Sequence, residues 1–534
     1  MTNRRDFVKA AGAAAGAALL PQVARAQAAS RRNTLRFVPE TNLTVLDPIF
    51  SPVTVTQNHG YHVYDTLYGV DGKFRPVPQM AVGNSVSKDG RTWEIKLRDG
   101  LKFHDGEPVR AQDCAASMLR WSKRDSFGQQ LATIVEGWEA ADDKTLRVKL
   151  NRAYPRFLDA IAKPSSNGPF IMPERLAKTD PFKAITDATG SGPYRFVANE
   201  YVSGSRVVYE KFAGYVPRSE KPELSSGGKV AHFQRIEWHI IPDKATATSA
   251  LQTGEVDWLE YVDNDLLPLL AKDPNVKLPP RDEAGRTSYI RFNTLHAPFD
   301  KAAVRRVVLE SLNQIDYMEA LSGGDKTLYK ECYSMFPCGF PLVKEPGRAV
   351  MKRGSDQNLE RQKTALKSSG YKGEKVVILA AADIPFINTM AQITADALKR
   401  LGMNVDLQVM DWGTMAGRRN NRETPDKGGW NIFPTAWPTV NVMDPAMNVL
   451  TRGVGGKGYV GWYESAEMEK LVLDYIYAPN DADQQRVMDA VQKLAFETVP
   501  SVPTGMFYQR AAMRKDLAGF LPGWAVFPWN IRRV

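Results

Sequence analysis

The sequence predicts an α/β protein, because strand-like and helix-like segments alternate along most of its 534 residues. Residues 92–97 alternate apolar and polar side chains, as a half-buried strand does. Further along, a helix-like run at 387–400 lies between β-rich runs at 376–380 and 405–409. The chain shows no internal repeat of solenoid period and is long enough for two or three cores.

Residues 1–28 are predicted to be an export signal. The pair Arg4-Arg5 forms a twin-arginine pattern, and an apolar run at 10–20 follows it. That run is shorter than the about twenty residues that a membrane span needs. Small residues up to Ala26 and Ala28 offer alternative cleavage sites. The mature protein is therefore expected to be soluble and periplasmic; the alternative is a basic tail on a cytosolic protein.

The other predicted elements are separated by segments rich in proline, glycine and serine. In chain order they are a strand at 35–38, a break at 48–52, a helix-like segment at 59–67, a surface loop at 217–228, a strand at 236–241, a helix at Lys244–Gln252 and a long helix at 299–321. Their mixture supports the α/β class.

Two turns and a helix start follow the strand at 92–97. Asp-Gly dipeptides at 99–100 and 105–106 are typical turn sequences on either side of a short apolar piece. Pro108 then stands near the first turn of a predicted helix, where its missing N–H has no cost. Helical spacing places Met118 and Leu119 on the same side of that helix.

This region, 97–121, reads LRDGLKFHDGEPVRAQDCAASMLRW and resembles the signature of the family 5 extracellular solute-binding proteins. These are the dipeptide-, oligopeptide- and nickel-binding proteins of bacterial ABC importers. Further segments resemble the family in its own order: 190–197 (GSGPYRFV), 250–258 (ALQTGEVDW), 288–294 (SYIRFNT), 299–313 (FDKAAVRRVVLESLN) and 392–407 (QITADALKRLGMNVDL). The resemblance therefore covers nearly the whole mature chain.

The resemblance implies a two-lobed clam shell of the type II periplasmic-binding-protein kind. The expected division is lobe I at 31–60, 190–290 and 500–534, an inserted subdomain of lobe I at 61–189, and lobe II at 291–499. The chain would cross between the lobes near Asn293 and near Pro500. Two crossing segments make a hinge, and a solute would bind in the cleft that closes.

Composition excludes some classes of function. The formal net charge is +10, but acidic and basic residues are interspersed and no basic block carries aromatic residues, so no nucleic-acid partner is predicted. Cys332 and Cys338 lie close together in a loop, and an oxidising compartment would permit a disulfide between them. Cys114 is expected to be a small buried residue of a helix.

Candidate binding residues cluster between 412 and 463, where aromatic residues are dense. Trp437 and Trp412 can stack on a solute, the alternative being core packing. The resemblance implies that the acid which pairs with a peptide ammonium stands three positions before Asp444, and Asn441 occupies that position. An amide adds no charge complementarity. Asp444 is therefore predicted either to substitute for that acid or to cap the turn that follows it.

In the first lobe, Tyr61 and His62 are predicted at the cleft edge, on a helix that also carries His59 and Tyr64. Two histidines at this spacing can hold a metal chelate, but a third ligand is not evident, so no metal site is predicted. His104 belongs to the family's Phe-His-Asp-Gly turn and is expected to be structural.

Together, these expectations predict a periplasmic substrate-binding subunit of an ABC importer that captures a peptide or peptide-like solute. The alternative ligands are a sugar, an opine-like compound or a metal chelate. The alternative classes of protein are an exported enzyme and a chaperone-like peptide binder. Enzyme motifs fail: no G-x-S-x-G or H-E-x-x-H occurs, and the glycine-rich run at 451–458 lacks the residues of a phosphate loop. The expected partners are the solute and the importer's membrane subunits, with no cofactor and a monomeric state.

Overall fold

The computed structural model describes residues 32–164, 166–355 and 359–534. The predicted export signal at 1–28 lies outside these residues. Helices and strands are mixed throughout the described chain, so the predicted α/β class is confirmed.

The strands are short to medium in length and are spread along the whole described chain. In chain order they are β1 Thr34–Val38, β2 Asp65–Thr66, β3 Tyr68–Val70, β4 Pro76–Pro78, β5 Ala81–Val86, β6 Thr92–Leu97, β7 Val135–Asp142, β8 Thr145–Leu150, β9 Phe170–Ile171, β10 Tyr194–Phe196, β11 Arg206–Lys211, β12 Arg235–His239, β13 Trp258–Leu259, β14 Val276–Lys277, β15 Arg286–Phe292, β16 Tyr329–Lys330, β17 Lys375–Ala381, β18 Asn404–Met410, β19 Ile432–Pro438, β20 Ser501–Phe507, β21 Ala512–Arg514, β22 Leu517–Ala518 and β23 Arg532–Arg533.

The α-helices lie between these strands. They are α1 Thr54–Val63, α2 Ala111–Arg124, α3 Ser126–Ala132, α4 Phe157–Ile161, α5 Glu174–Ala177, α6 Lys244–Gln252, α7 Leu267–Leu270, α8 Ala302–Ser311, α9 Gln314–Ser322, α10 Arg348–Ser355, α11 Leu359–Ser368, α12 Pro385–Leu401, α13 Trp412–Arg418, α14 Ala466–Ile476 and α15 Asp481–Thr498.

The first sheet has the strand order β10-β11-β12-β1-β13-β21-β14. Its central strand, β1, runs parallel to both of its neighbours, β12 and β13. Phe37 of β1 packs against Trp238 and Trp258, with ring centroids 5.6 and 4.6 Å apart. These buried rings belong to an apolar cluster that continues into the segment inserted after α1.

The inserted segment carries an antiparallel sheet of order β5-β6-β8-β7, and α2 packs against it. Cys114, Met118 and Trp121 of α2 are buried and fix its orientation. Leu119 is 46% exposed, so its predicted place beside Met118 on the buried side is wrong. The buried face of the helix runs through positions 114, 118 and 121, and Leu119 lies outside that face.

The second sheet has the order β16-β20-β15-β19-β17-β18. Strand β15 pairs antiparallel with β19 and β20, whereas β17 and β18 are parallel. Helix α12 covers this sheet. Pro385 starts the helix, where its missing N–H is tolerated, and Gly402 ends it at φ 101°, a conformation that favours glycine.

The chain passes between the two sheets from β14 to β15 and again from β20 to β21. A β-bridge between Pro280 and Arg510 joins these two connections side by side. The crossings were predicted near Asn293 and Pro500, but β15 and β20 pair with each other inside the second sheet. The first connecting segment therefore lies at 278–285, before the first predicted crossing. The second lies at 508–511, after the second predicted crossing.

The bounds of short helices and strands agree with the sequence predictions better than the bounds of long ones. The strand at 92–97 and the helix Lys244–Gln252 have the predicted bounds. The predicted helix at 299–321 is two helices, because Asn313 caps a new one by accepting a hydrogen bond from the Ile315 backbone N–H at 3.2 Å. The helix predicted at 59–67 is α1, which ends at Val63 because the chain is extended from Tyr64 onward.

The predicted disulfide between Cys332 and Cys338 is confirmed, with Cα atoms 5.7 Å apart. Both cysteines are buried, against Met506 of β20. Cys114 is a free, fully buried thiol, as expected. In the part of the chain that is described, no helix combines the length and apolar character needed to cross a bilayer.

Candidate functional site

The inserted segment and the second sheet's helices meet face to face across a cleft. Arg152 places its guanidinium 3.5 Å from the ring centroid of Tyr477. Next to it, Arg156 donates from Nη1 to the Asp481 carboxylate at 3.0 Å. Apolar residues of the second lobe, including Ile476, join the first lobe's core cluster. The lobes are therefore in contact, in a closed arrangement.

A cavity of about 320 Å³ lies between these two faces. Its walls are largely aromatic and apolar with a few charged groups, as in most small-molecule sites. The first-lobe lining includes Phe74, Phe127, Tyr154, Arg156 and Asp159, and the second-lobe lining includes Phe340, Met443, Asp444, Met447, Tyr475 and Gln484.

Asp444 shapes the second-lobe wall of this cavity, which we call the acid cavity. Its Oδ1 accepts hydrogen bonds from the backbone N–H groups of Ala446 at 2.8 Å and Met447 at 2.9 Å. This is the turn-capping role that was one of the two predicted for Asp444. Burial raises the pKa of Asp444 to about 6, and the nearby Asp159 carboxylate adds to the effect.

On the opposite wall, Asp159 belongs to the short helix α4 and lies 3.4 Å from Arg156 Nε. Burial raises the pKa of Asp159, although Arg156 opposes the shift. Burial likewise raises the pKa values of Tyr154 and Tyr475 well above the ordinary value, with help from the two carboxylates. Both phenols therefore stay protonated at neutral pH and can donate hydrogen bonds.

Gln484 completes the acid cavity from helix α15. It is 1% exposed, and its Nε2 donates weakly to the Tyr475 carbonyl oxygen at 3.4 Å. Its buried Oε1 has no hydrogen-bond partner among the described residues. A buried acceptor without a donor is unfavourable, so this oxygen is available for a group that enters the cavity.

Two further cavities follow along the cleft toward the hinge. Phe74 and Phe340 stack at 4.9 Å between their ring centroids and separate the acid cavity from a second cavity of about 340 Å³. That cavity shares Asp282 and Trp524 with a small third one at the connections between the sheets. Cavities thus follow one another along the cleft from the hinge to its outer end.

Charged groups at the hinge are densely paired. Arg281 Nη2 donates to Glu260 at 2.7 Å, and both side chains are buried. Arg286 Nε donates to Gln509 Oε1 at 3.0 Å, which ties the two connecting segments together. Burial raises the pKa of Asp282 to about 6, despite the neighbouring Arg281.

Trp437 and Asn441 lie on either side of Pro438 in the sequence. Trp437 is half-buried on β19 and packs edge-on against Tyr459, with ring centroids 5.6 Å apart. Its Nε1 is buried without a partner in the described chain. The adjacent Pro438 lines the small hinge cavity, and Asn441 ends the turn that follows it, half-buried. Neither predicted residue lines the acid cavity.

Trp412 lies away from the three cavities. It begins helix α13, half-buried, and the Arg419 guanidinium covers its ring at 4.8 Å. The structure therefore brings Asp444 into the cleft cavity but separates Trp412 from it.

Tyr61 and His62 lie in the core of the first lobe, so their predicted place at the cleft edge is wrong. Tyr61 is 3% exposed and packs against Phe170 and Trp529. The Nδ1 of His62 lies 2.8 Å from the Asn58 carbonyl oxygen, and burial lowers its pKa to about 3. Helix α1 is enclosed on nearly all sides, which leaves neither side chain a surface for a solute.

Metal binding finds no support in the described part of the chain, where no group of three His, Cys, Asp or Glu side chains could hold an ion. His59 Nδ1 lies 2.9 Å from the Tyr209 hydroxyl instead. His104 holds the Gly192 carbonyl at 3.1 Å, consistent with a structural role.

Sequence reasoning missed Tyr154, Asp159, Tyr475 and Gln484. The one available signal was Asp159, an acid inside the otherwise apolar run 157–162. Its partners on the second-lobe wall, Asp444, Tyr475 and Gln484, are hundreds of residues away in sequence, so no local pattern could have assembled the site.

A sequence profile of the bacterial extracellular solute-binding proteins, family 5 Middle, matches residues 75–459. The chain is similar to a probable peptide ABC transporter periplasmic-binding protein of Sinorhizobium fredii, y4tO, at 35% identity over 100% of this chain and 99% of the relative.

Solved structures with the same fold include the AgaA binding protein from A. tumefaciens R10 in complex with agropinic acid. It matches with a TM-score of 0.76 at 21% identity, over 94% of this chain and 99% of that chain. A dipeptide binding protein from Pseudoalteromonas sp. SM9913, in complex with Met-Leu, matches with a TM-score of 0.75 at 19% identity, over 94% and 100%. These likenesses confirm the predicted two-lobed fold.

Proposed function

Because the chain belongs to the bacterial extracellular solute-binding proteins of family 5, we propose that it is the periplasmic subunit of an ABC importer. It captures a peptide or peptide-like solute between its lobes and presents it to the importer's membrane subunits. It performs no chemistry on the solute. Residues 1–28 direct export through the twin-arginine route and are removed, and the mature protein works as a monomer.

The observation that carries this proposal is the acid cavity, whose two walls come from different lobes. A solute there touches both walls only when the lobes are together, so its binding free energy favours the closed form. The two adjacent connections between the sheets supply the hinge for that motion. Contacts such as Arg156 with Asp481 add to closure but are solvent-accessible and weak on their own.

A peptide-like solute suits the cavity for two reasons. Its volume of about 320 Å³ falls at the lower end of the range for small-molecule sites, which fits a small peptide. Its aromatic walls offer stacking and apolar contact, while a few acids and a free amide oxygen offer hydrogen bonding. The S. fredii relative, a probable peptide ABC transporter periplasmic-binding protein that is similar over its whole length, supports the same class.

One observation favours a second candidate, an opine-like compound. Asn441 stands where the family's acid for a peptide ammonium was expected, and an amide brings no charge to that place. The neighbour that holds agropinic acid shows that this fold accepts such a ligand.

Binding and scattering measurements on the mature protein test both candidates. Native mass spectrometry of protein purified from the periplasm should reveal a retained solute. Calorimetric titration with Ala-Ala-Ala and with agropinic acid should then give saturable binding of the peptide and none of the opine. The reverse result favours the second candidate.

The same saturated sample should have a smaller radius of gyration by small-angle X-ray scattering than the solute-free protein. An unchanged radius at saturation would contradict capture by closure.

A further inference from the structure

We propose that Phe74 and Phe340 form a partition across the cleft that selects solutes by length. Their stacked rings limit a bound solute to one of two adjacent cavities. The inference rests on the proposed function and adds to it two residues that determine which solutes are accepted.

The partition takes one ring from each lobe. Phe74 lies in the turn between β3 and β4 of the first lobe, and Phe340 follows the disulfide loop of the second lobe. Their rings are nearly parallel, with 28° between the planes and 4.9 Å between the centroids. Both residues line the acid cavity and also the second cavity of about 340 Å³. The pair therefore separates two cavities, and it forms only when the lobes are together.

The turn that carries Phe74 is fixed by several hydrogen bonds. Oδ1 of Asp71 accepts from the backbone N–H groups of Lys73 and Arg75, both at 2.9 Å. The Phe74 N–H donates to the Asp71 carbonyl oxygen at 2.9 Å. Phe74 has a φ of 60°, a left-handed conformation that is unfavourable for a bulky residue and persists only where its surroundings impose it. The buried ring of Trp524 lies 6.0 Å from the Phe74 ring and supports it within the first lobe.

The backbone of Phe340 is restricted from both directions along the chain. The disulfide between Cys332 and Cys338 closes a loop that ends two residues before it. Gly339 has a φ of 98°, which favours glycine, and Pro341 limits the conformations open to the residue before it. Both rings are thus carried by fixed segments, so a solute that spans the two cavities must separate the stacked pair.

Separation of the rings has a cost that depends on the length of the solute. A solute that fits within one cavity leaves the pair stacked, whereas a longer one breaks the aromatic contact and exposes apolar area. This loss is expected to lower the affinity for long solutes about tenfold. Without the partition, the joined space would have roughly twice the volume of the acid cavity and would suit a longer peptide.

Two peptides of different length test the partition. Ala-Ala-Ala has three residues. Ala-Ala-Ala-Ser-Gly-Ser begins with the same three and spans up to about 20 Å when extended. Calorimetry measures the Kd of each peptide. The unaltered protein should bind the shorter peptide about tenfold or more tightly than the longer one.

Phe340→Ala removes one ring of the pair and joins the two cavities. It should bring the ratio of the two Kd values to about one, because the longer peptide no longer has a stack to separate. Phe74→Ala should have the same effect from the first lobe. Phe340→Tyr keeps the ring and should keep the ratio of the unaltered protein. Thermal melts check that each variant is folded.

Phe212→Ala is the matched control. Phe212 is also half-buried and packs against an aromatic ring, that of His104, with ring centroids 4.9 Å apart. It lines neither the acid cavity nor the second cavity, so its replacement should leave the ratio unchanged.

Equal weakening of both peptides by Phe340→Ala and Phe74→Ala would overturn the inference. The pair would then be only a closure contact, and the loss of such a contact changes every affinity by the same factor. Equal or tighter binding of the longer peptide by the unaltered protein would overturn it too. Peptide capture survives both results. If the unaltered protein binds neither peptide, peptide capture itself is contradicted and this inference falls with it.

Discussion

At the residue scale, Asp444 combines two tasks that are normally separate. Its Oδ1 caps a turn, which fixes the side chain, while its Oδ2 is left for another donor. The Asp-Pro pair made the capping role predictable from sequence. Its opposition to Asp159 was not predictable, because the two residues meet only through the packing of separate lobes.

The prediction for Tyr61 and His62 was wrong for a similar reason, since their surroundings come from residues that are distant in sequence. Helix α1 is rich in Thr, Gln, Asn and His, a composition typical of an exposed helix, yet it is buried. Several of its polar groups have distant partners: Asn58 Nδ2 donates to Glu260 at 2.9 Å, and His59 Nδ1 lies 2.9 Å from the Tyr209 hydroxyl. Only the tertiary structure reveals these partners.

The buried histidines predict a loss of stability in acid. Burial lowers the pKa of His59 to about 3, with His62 contributing. Since the unfolded chain takes up this proton near pH 6.5 and the folded chain does not, stability is complete above that pH and falls below it. Replacing His59 by Gln should therefore remove about 2 kcal/mol of the stability loss between pH 6.5 and 5.

Urea unfolding followed by fluorescence at these pH values measures the effect on the His59→Gln variant. The variant starts less stable at pH 7, because it loses the contact with Tyr209, so the slope with pH is the quantity to compare. Parallel pH profiles for variant and unaltered protein would show that His59 is already protonated when folded.

Trp437 remains a predicted solute contact. Trp437 is half-buried and directly precedes Pro438, which lines the hinge cavity, so Trp437→Ala should weaken binding of Ala-Ala-Ala by about 1–3 kcal/mol if the ring stacks on the solute. Trp412→Ala is the matched control, because Trp412 lies away from the described cavities and should have a smaller effect. Calorimetry gives the affinities, and a lowered melting temperature with unchanged affinity would assign Trp437 to packing alone.

At the scale of elements, the predicted bounds and sheet positions agree with the structure where the residues that fix them are close together in the sequence. Helix α6 has its predicted bounds because Asp243 caps it through a hydrogen bond from the Thr246 N–H at 2.7 Å. Most of strand β15 lies within the range predicted for the first lobe, but the sheet to which a strand belongs depends on its pairing. That pairing is with β19 and β20, which lie far along the chain.

The disulfide loop is an element with a role in the cleft. Cys332 and Cys338 close it, the Tyr289 hydroxyl donates to the Met335 carbonyl at 3.1 Å, and Phe340 follows directly at the boundary between two cavities. The loop therefore sets where Phe340 meets Phe74.

Replacing both cysteines by Ser should lower the free energy of unfolding by about 2 kcal/mol, since a short loop gains little chain entropy from its cross-link. It should also weaken solute binding, even though the loss of stability is small, because Phe340 becomes less well placed against Phe74. Urea unfolding and calorimetry with Ala-Ala-Ala measure the two effects. Unchanged affinity would separate the loop from the cleft.

At the scale of the whole molecule, closure should depend on pH even without solute. Asp444 faces Asp159, Arg156, Tyr154 and Tyr475, and burial among them raises its pKa to about 6. In an open form the carboxyl regains water, and its pKa returns toward the ordinary value of about 4. The closed form thus holds the proton more firmly, so closure is favoured in acid and is lost as pH rises through about 6.

Small-angle scattering of the solute-free protein at pH 5 and at pH 7.5 should therefore show the larger radius of gyration at the higher pH. The Asp444→Asn variant should lose most of this difference. Asp282, whose pKa is also raised to about 6, is the second contributor to test, through Asp282→Asn. A radius that does not change with pH in the unaltered protein would contradict the mechanism.

The first lobe is assembled from both ends of the chain, and this has a consequence for its biosynthesis. Strand β21 lies between β13 and β14, and the Val526 N–H donates to Asn58 Oδ1 across 468 positions of sequence. On the ribosome, the first lobe's sheet and core therefore stay incomplete until residues 512–526 have emerged. The second sheet is built from 286–507 alone, so it can form earlier. The second sheet can thus fold before the first, which reverses the usual amino-to-carboxyl order of domain folding, and the cleft is complete only after these later residues have been made.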